Sequence, residues 1–255
     1  MSSCKRPAEA SRVPERRTKR VRIHGDFEQL VELVVGVAKK GFLVHKDMLC
    51  AVSAFLDAAC KPEWTQLENI EHPIICLPED DASVVKAMIK WLYAGRIHIQ
   101  LNGADATHSD NLVRTMCLRL FSLADKYQIP ELQNDAIDAY LVHRNRHELV
   151  KTPIHEANLA YALTSSSSSP LRRMMTSALV ADYGRNKGGN RDFLRVAPWM
   201  AHDVLMDFTE RILAVPKSVR AVAEDFCERY HIHDASSGGK CVVLKPYCDG
   251  GEDQT

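Results

Sequence analysis

The chain has 255 residues, of which 45% are hydrophobic and 26% are charged, and its formal net charge is zero. This composition is that of an average soluble globular protein, long enough for one good-sized domain or a domain with a helical extension. Its apolar runs are far shorter than the roughly 18 residues that a membrane-spanning helix needs, and its charged N-terminus excludes a secretory signal.

The cysteines indicate a reducing compartment. There are eight of them, without a CxxC pair or a regular spacing, at positions 4, 50, 60, 76, 117, 227, 241 and 248. In an intracellular chain such residues are buried apolar side chains and free thiols instead of a disulfide framework. We therefore expect the protein in the cytoplasm, the nucleus or both.

The charge is unevenly placed. Residues 1–24 carry eight basic and two acidic side chains, a charge of +6, so the remaining residues sum to −6. Two prolines and no apolar periodicity predict that residues 1–26 are a disordered basic tail. The tail resembles a bipartite nuclear import signal, and a solvating basic tail is the alternative interpretation. The basic residues of this candidate signal are Lys5, Arg6, Arg16, Arg17, Lys19 and Arg20.

Short strands and helices come next along the chain. Branched and aromatic residues at 33–35 and 42–44, with glycines between them, predict a β-hairpin. A helical apolar spacing comes after it, in Met48, Leu49, Val52, Phe55 and Leu56. Residues 74–77 predict a third strand, and a helix should then start at Asp81 as its N-cap and stop at Gly95.

The rest of the chain has a helical pattern. Residues 102–110 are predicted to be a polar loop, followed by an amphipathic helix with Arg114, Arg119 and Lys126 largely on its polar side. Pro130 suits the first turn of the next helix. Further helices are predicted at 154–163, from Pro170 onward after a serine run at 165–169, at 201–214 and at 218–230.

Several motifs in the first half, in one order and spacing, resemble the BTB/POZ family in the form common in filamentous fungi. They are Val44-His45-Lys46, Leu49-Cys50, Ser53-Ala54-Phe55, Ala59-Cys60, Leu77-Pro78-Glu79-Asp80-Asp81, Trp91-Leu92-Tyr93-Ala94-Gly95 and Leu123-Ala124-Asp125-Lys126-Tyr127-Gln128-Ile129-Pro130. The resemblance implies an α+β fold, a small sheet flanked by helices, over residues 27–143. A mainly helical extension at 144–235 and a flexible tail at 236–255 complete the expected organisation.

The family is a protein-interaction module, so the resemblance implies a non-enzymatic adaptor or scaffold without a cofactor. Family members pair with themselves or with relatives, which implies a homodimer or a heterodimer with another BTB protein. Many also dock a cullin scaffold, so the alternative function is a substrate receptor of a cullin-RING ubiquitin ligase. The substrate would then be held by residues 144–235.

Two positions depart from the family pattern. Cullin-binding members carry a hydrophobic-x-Glu element before the third strand, and the matching residues here are Trp64, Thr65 and Gln66. Glutamine accepts a hydrogen bond without the contribution of a charge, which weakens the expectation of cullin binding. Family members also place an aspartate before the first strand, where this chain has Gln29, with Asp26 three residues earlier.

Other candidate sites are set aside. Cys227, His231, His233 and Cys241 lack the paired spacing of structural zinc sites, so a frayed helix end is the preferred interpretation. His45 falls within a family packing motif and is interpreted as a structural histidine. Glu79, Asp80 and Asp81 precede a helix and are explained by capping. Nucleic-acid binding through the basic tail ranks last, because the chain has no zinc finger or recognition-helix motif.

Overall fold

The computed structural model describes residues 14–16, 27–61, 72–99, 106–145, 152–183, 194–214, 230–232 and 243–246. The strands are β1 (Pro14–Arg16), β2 (Leu30–Val35), β3 (Lys40–His45), β4 (Ile74–Leu77) and β5 (Val243–Pro246). The helices are α1 (Lys46–Cys50), α2 (Ala54–Ala59), α3 (Ala82–Ala94), α4 (Ala106–Lys126), α5 (Pro130–Asn145), α6 (Ile154–Ala162), α7 (Pro170–Tyr183) and α8 (His202–Ala214), with a 3₁₀ turn at Ala197–Trp199. Within these residues, no helix combines the length and apolar character needed to cross a bilayer.

A three-stranded sheet in the order β3-β2-β4 forms the base of the first half. β2 and β3 form an antiparallel hairpin, and β4 runs parallel to β2, so α1 and α2 lie within the crossover connection. On β2 the alternate residues Val31, Leu33 and Val35 are completely buried, as expected of a strand with one face on the core. The predicted hairpin, the third strand and the α+β class are confirmed.

Both ends of α3 follow the predicted chemistry. The Asp81 carboxylate accepts hydrogen bonds from the amides of Ser83 and Val84, at 2.7 and 3.3 Å. At the other end Gly95 takes the left-handed conformation (φ 66°) and donates its amide to the Trp91 carbonyl at 2.7 Å. A residue without a Cβ atom adopts this conformation without strain, so the helix stops there.

The helices from α3 onward share one hydrophobic core with the sheet. The α4–α5 hairpin lies at its centre, α3 and α6 pack against α4, and α7 and α8 complete the layer beyond α6. The largest completely or almost completely buried side chains come from both halves, among them Leu33, Met88, Phe121, Tyr127, Tyr140 and Phe208. The extension is therefore part of the same packed body as the sheet.

The structure corrects three expectations. α4 begins at Ala106, so the second half of the predicted 102–110 loop is helical. Arg114, predicted on the polar side of that helix, is only 2% exposed. Phe55, predicted within an apolar face, is 47% exposed, because a break at Ser53 divides the predicted helical stretch into α1 and α2.

A second, two-stranded sheet pairs β1 with β5 in antiparallel register, Pro14 opposite Pro246 and Arg16 opposite Val243. Both strands fall in tails that were predicted to lack structure, and no pattern in the sequence predicted this pairing. Backbone pairing needs no apolar periodicity, and a run as short as Val243-Leu244 already favours an extended chain. The predicted helix at 218–230 lies outside the described residues except for Tyr230.

Candidate protein-interaction surface

Three rings lie side by side where β3 runs into α1. Phe27 and His45 meet edge to face with their ring centroids 5.6 Å apart, and His45 and Tyr93 do so at 5.9 Å. His45 is the last residue of β3 and Tyr93 belongs to the last turn of α3. Phe27 remains 41% exposed and Tyr93 49% exposed, so the group, here named the aromatic edge, presents apolar surface to solvent.

Hydrogen bonds fix the rings of the aromatic edge. The Tyr93 Oη accepts the backbone amide of His45 at 3.2 Å and lies 2.8 Å from His45 Nδ1. A hydroxyl has both a donor and two acceptor positions, so the one Tyr93 oxygen can serve both contacts. His45 is thus held by specific partners, which agrees with its interpretation as a structural histidine.

Hydrogen bonds also hold the backbone before β2 to the start of α1. Phe27 has a φ of 52°, in the left-handed region that bulky residues rarely adopt, and its amide donates to Asp47 Oδ2 at 3.2 Å. Lys46 donates its backbone amide to the Gln29 carbonyl and its Nζ to Gln29 Oε1, at 2.9 and 3.3 Å. The amide of Gln29 therefore contacts a cation at the position where the family pattern has an aspartate.

The carboxylates before α3 have structural partners. Asp80 accepts Lys126 Nζ at 3.0 Å and the hydroxyl of Tyr127, which joins the β4–α3 loop to the end of α4. Burial, with the hydrogen bond to Asp80 second, raises the pKa of Tyr127 well above its usual value. Tyr127 therefore stays protonated and acts as a donor, not as an acid–base group.

A buried ion pair joins the two halves of the chain. Arg114 on α4 donates its Nε to the two carboxylate oxygens of Glu156 on α6, at 3.0 and 3.2 Å. The Tyr140 hydroxyl donates to Glu156 Oε2 at 2.8 Å, and Asn111 Oδ1 accepts from Arg114. Burial, and then the charge of Glu156, raises the pKa of Tyr140 far above its usual value, so it remains a donor. Every charge in this site has an opposite charge or a hydrogen bond.

A second polar contact fixes the end of α5 to α7. Arg144 donates to Asp182 Oδ1 at 2.7 Å and to Thr152 Oγ1 at 3.0 Å. Asp182 Oδ2 also accepts both the amide and the hydroxyl of Thr152, each at 2.7 Å. Thr152, two residues before α6 begins, is therefore hydrogen-bonded to both α5 and α7.

The sequence-predicted site residues are mostly not described. Trp64, Thr65 and Gln66 lie outside the described residues, as do Lys5, Arg6, Arg17, Lys19 and Arg20 of the candidate import signal. Arg16 falls in β1, where only the backbone is described.

Of the four residues considered as zinc ligands, Cys227, His231, His233 and Cys241, the structure describes only His231. His231 Nε2 lies 2.8 Å from Asp138 Oδ1, while the other three members of that group lie outside the described residues. In the part of the chain that the structure describes, no three histidine, cysteine or acidic side chains meet closely enough to hold a metal ion.

Two of the described thiols, those of Cys50 and Cys117, are not activated nucleophiles. Cys50, Cys60, Cys76 and Cys117 are free. Burial is the main cause that raises the pKa of Cys117, and also that of Cys50, to about 12. A thiol with such a pKa is protonated at neutral pH and attacks neither a substrate nor a metal.

Comparison with known proteins identifies the first half. Residues 25–144 match the BTB/POZ domain family, from the residues before Phe27 to the end of α5. No curated protein matches the chain. The resemblance carried by the motifs between Val44 and Pro130 is confirmed, and the chain carries a BTB/POZ domain, which is a protein-interaction fold, at residues 25–144.

Proposed function

We propose that this protein is a non-enzymatic adaptor or scaffold that pairs with itself or with another BTB protein. The observation that carries the proposal is the aromatic edge, in which Phe27 and Tyr93 are 41% and 49% exposed although their positions are fixed. Large aromatic side chains are enriched among the residues that dominate binding energy at protein interfaces. Because the rings are already ordered, little side-chain entropy is lost when a partner covers them.

The surface around the aromatic edge extends along β3. Leu43 is 56% exposed and lies two residues from His45, so both side chains leave the strand on the same side. In the described residues β3 pairs with β2 alone, which makes it an edge strand. A stable assembly should bury on the order of 1,000 Å² or more, and this surface would supply its apolar centre.

The test is affinity purification of the tagged full-length protein from its native cells, with mass spectrometry of the recovered proteins. Phe27→Asn removes the ring, and asparagine tolerates the left-handed backbone at this position. The matched control is Val37→Ser, which changes a side chain that is 96% exposed in the hairpin turn. We expect Phe27→Asn to lose the co-purifying BTB protein, or to recover less of the untagged copy of this chain, and Val37→Ser to recover as much as the wild type. Equal recovery by both variants would refute the proposed surface.

The alternative function is a substrate receptor of a cullin-RING ubiquitin ligase. The buried pair of Arg114 and Glu156 favours it, because a receptor must hold its substrate at a fixed position relative to the scaffold. In this function the BTB/POZ domain docks the cullin and the helical extension carries the substrate. Gln66 weakens the proposal, since an amide stands where cullin-binding members carry glutamate.

The same purification separates the two functions. Recovery of a cullin by the wild type but not by Trp64→Ala supports the receptor function, and Gln66→Glu should then increase the recovery. If no cullin appears in any of the three samples while a BTB protein does, the adaptor function stands and the receptor function is rejected.

We also propose that the basic tail directs nuclear import. The proposal rests on two basic groups, Lys5-Arg6 and residues 16–20, separated by a short spacer. Residues 1–24 fused to a large fluorescent protein should concentrate in the nucleus, and replacing Arg16, Arg17, Lys19 and Arg20 by alanine should return it to the cytoplasm. A fusion that stays evenly distributed without those substitutions rejects the import signal.

A further inference from the structure

The outward side of α8 carries a row of exposed side chains. His202, Met206, Glu210 and Leu213 are exposed, with Met206 at 54% and Leu213 at 85%. At 100° per residue these four positions fall within about 80° of arc on the helix surface. They form a single stripe, named here the α8 stripe.

The opposite side of α8 is fixed to the protein. Val204 and Phe208 are buried against α6 and α7, and the Tyr161 hydroxyl donates to Asp207 Oδ2 at 2.5 Å. Asn158 on α6 holds the turn before the helix by bonding the Trp199 carbonyl and the Ala201 amide, at 2.8 and 2.9 Å. The α8 stripe is therefore presented on a rigid support.

The α8 stripe has a self-complementary spacing. Counted from Met206, His202 lies four residues before and Glu210 four residues after, while Leu213 lies seven residues after. Seven residues before Met206 is Trp199, which is 75% exposed in the turn that precedes the helix. A two-fold axis through Met206 thus sets His202 of one copy against Glu210 of the other, and Leu213 towards the turn that carries Trp199.

We propose that a second copy of this chain docks on the α8 stripe, with the two α8 helices antiparallel. In that arrangement Met206 packs on its own counterpart, and Trp199 covers Leu213 of the other copy. His202 then lies opposite Glu210, so an imidazole N–H meets a carboxylate on each side of the apolar centre. This interface belongs to the helical extension and is separate from the aromatic edge of the BTB/POZ domain.

The apolar area buried between two copies sets the expected affinity of the dimer. Trp199, Met206 and Leu213 together expose roughly 400 Å² per copy, in the range of surface patches that mark interaction sites. Two copies therefore bury roughly 800 Å² of apolar surface, below the standard size of a tight protein complex. We expect a weak dimer, with a dissociation constant on the order of micromolar to tens of micromolar.

The test is sedimentation velocity of the full-length chain over about a hundredfold range of concentration. All variants carry Phe27→Asn, so that pairing through the aromatic edge does not contribute to the signal. Met206→Glu places two like charges on the axis and should raise the dissociation constant about tenfold or more. The matched control is Val37→Glu, which adds the same charge at a side chain that is 96% exposed in the β2–β3 turn and should leave the dissociation constant unchanged.

A charge exchange tests the antiparallel register. His202→Glu should weaken the dimer by facing Glu210 of the other copy, and Glu210→Lys should weaken it by removing the carboxylate. The double variant His202→Glu/Glu210→Lys should recover the wild-type affinity. Within one helix these positions are about 12 Å apart along the axis, so the recovery can only come from contacts between copies.

Two results would overturn the inference. In one, the double variant has a dissociation constant as high as those of the single variants, or Met206→Glu dimerises with the same dissociation constant as its parent. In the other, the Phe27→Asn parent is monomeric at every concentration, which would leave residues 215–229 of the same chain or an unrelated protein as the occupant. Neither result affects the proposed adaptor function, which depends on what Phe27→Asn loses in the purification.

Discussion

The Arg114 guanidinium and the Glu156 carboxylate lie 3.0 Å apart, and their side chains are only 3% and 0% exposed. Arg114 belongs to the segment matched by the BTB/POZ family and Glu156 lies twelve residues beyond its end. The most deeply buried pair of opposite charges in the described residues thus crosses from the family domain into the extension. Two charges at such a depth are tolerated because each compensates the other and Tyr140 satisfies a further carboxylate lone pair.

Glu156→Ala should destabilise the protein by about 3–5 kcal/mol, because it leaves the Arg114 guanidinium buried without an opposite charge. Urea denaturation followed by circular dichroism measures the change. Both halves should unfold in one transition with the wild-type slope, since they share a core.

The matched control for this prediction is the double variant Arg114→Met/Glu156→Leu, which replaces the ion pair by apolar side chains of similar size. It should be clearly more stable than Glu156→Ala. A Glu156→Ala protein within about 1 kcal/mol of wild type would contradict the role given to the pair.

Asp81 makes the stability of α3 depend on pH. Hydrogen bonds from the Ser83 side chain and then from its backbone lower the pKa of Asp81 below its usual value. A lowered folded-state pKa means that the stabilisation is complete above the unfolded-state pKa of about 4 and is lost as the pH falls through the folded-state pKa.

Asp81→Asn keeps an N-cap acceptor but cannot titrate, so its stability relative to wild type should rise as the pH is lowered below about 4. Thermal melts between neutral and acidic pH measure this difference. Asp81→Ala, which removes the cap altogether, should cost about 1 kcal/mol at neutral pH. A difference between wild type and Asp81→Asn that does not change with pH would contradict the assignment.

Gly36 begins the β2–β3 turn and Gly41 lies in β3, and the two should respond differently to alanine. Gly36 has a φ of 70°, and a Cβ atom there would lie 3.1 Å from the Asp80 carbonyl oxygen. Gly36→Ala should therefore cost about 1–2 kcal/mol or more. At Gly41 the added Cβ would meet the end of the flexible Glu32 side chain, which can move aside. Melting temperatures measure both, and an equal loss at the two positions would contradict the strain argument.

The thiols should be alkylated in the order of their exposure. Cys76 is exposed on β4, whereas Cys117 is 1% exposed and its pKa is raised by burial to about 12. Among the four described cysteines, iodoacetamide at mildly alkaline pH should modify Cys76 first and Cys117 only after unfolding. Peptide mapping by mass spectrometry measures the order. Modification of Cys117 in the native protein at the rate of Cys76 would show that this part of the core opens readily.

The regular parts of the fold could be predicted because their causes are local. Period-2 and helical spacings indicated the hairpin, β4 and most helices, and Asp81 and Gly95 gave the ends of α3. The start of α4 was missed because residues 106–110 are small and polar, and their helical state depends on the buried face that begins only at Val113. The β1–β5 pairing was missed because its partners are more than two hundred residues apart.

The key contacts of the candidate surfaces depend on distant residues. Arg114 was predicted on the polar side of its helix, since a charge is normally exposed unless it has a buried partner. Its partner Glu156 lies 42 residues further along the chain, which periodicity alone does not reveal. The sequence contains one indication that Tyr93 is exposed. It comes directly after the buried Trp91 and Leu92 and is out of phase with their face of α3.

The contact between Arg114 on α4 and Glu156 on α6 determines the smallest stable fragment of this protein. A fragment that ends at residue 144, where the family match ends, would keep Arg114 and Tyr140 but lose the Glu156 carboxylate that both contact. It would also expose the faces of α4 and α5 on which the extension packs, and these faces would then adhere to other molecules without selectivity. A partner screen that uses such a fragment as bait would recover proteins that bind these exposed apolar faces nonspecifically. The bait for finding genuine partners must therefore include α6 and α7.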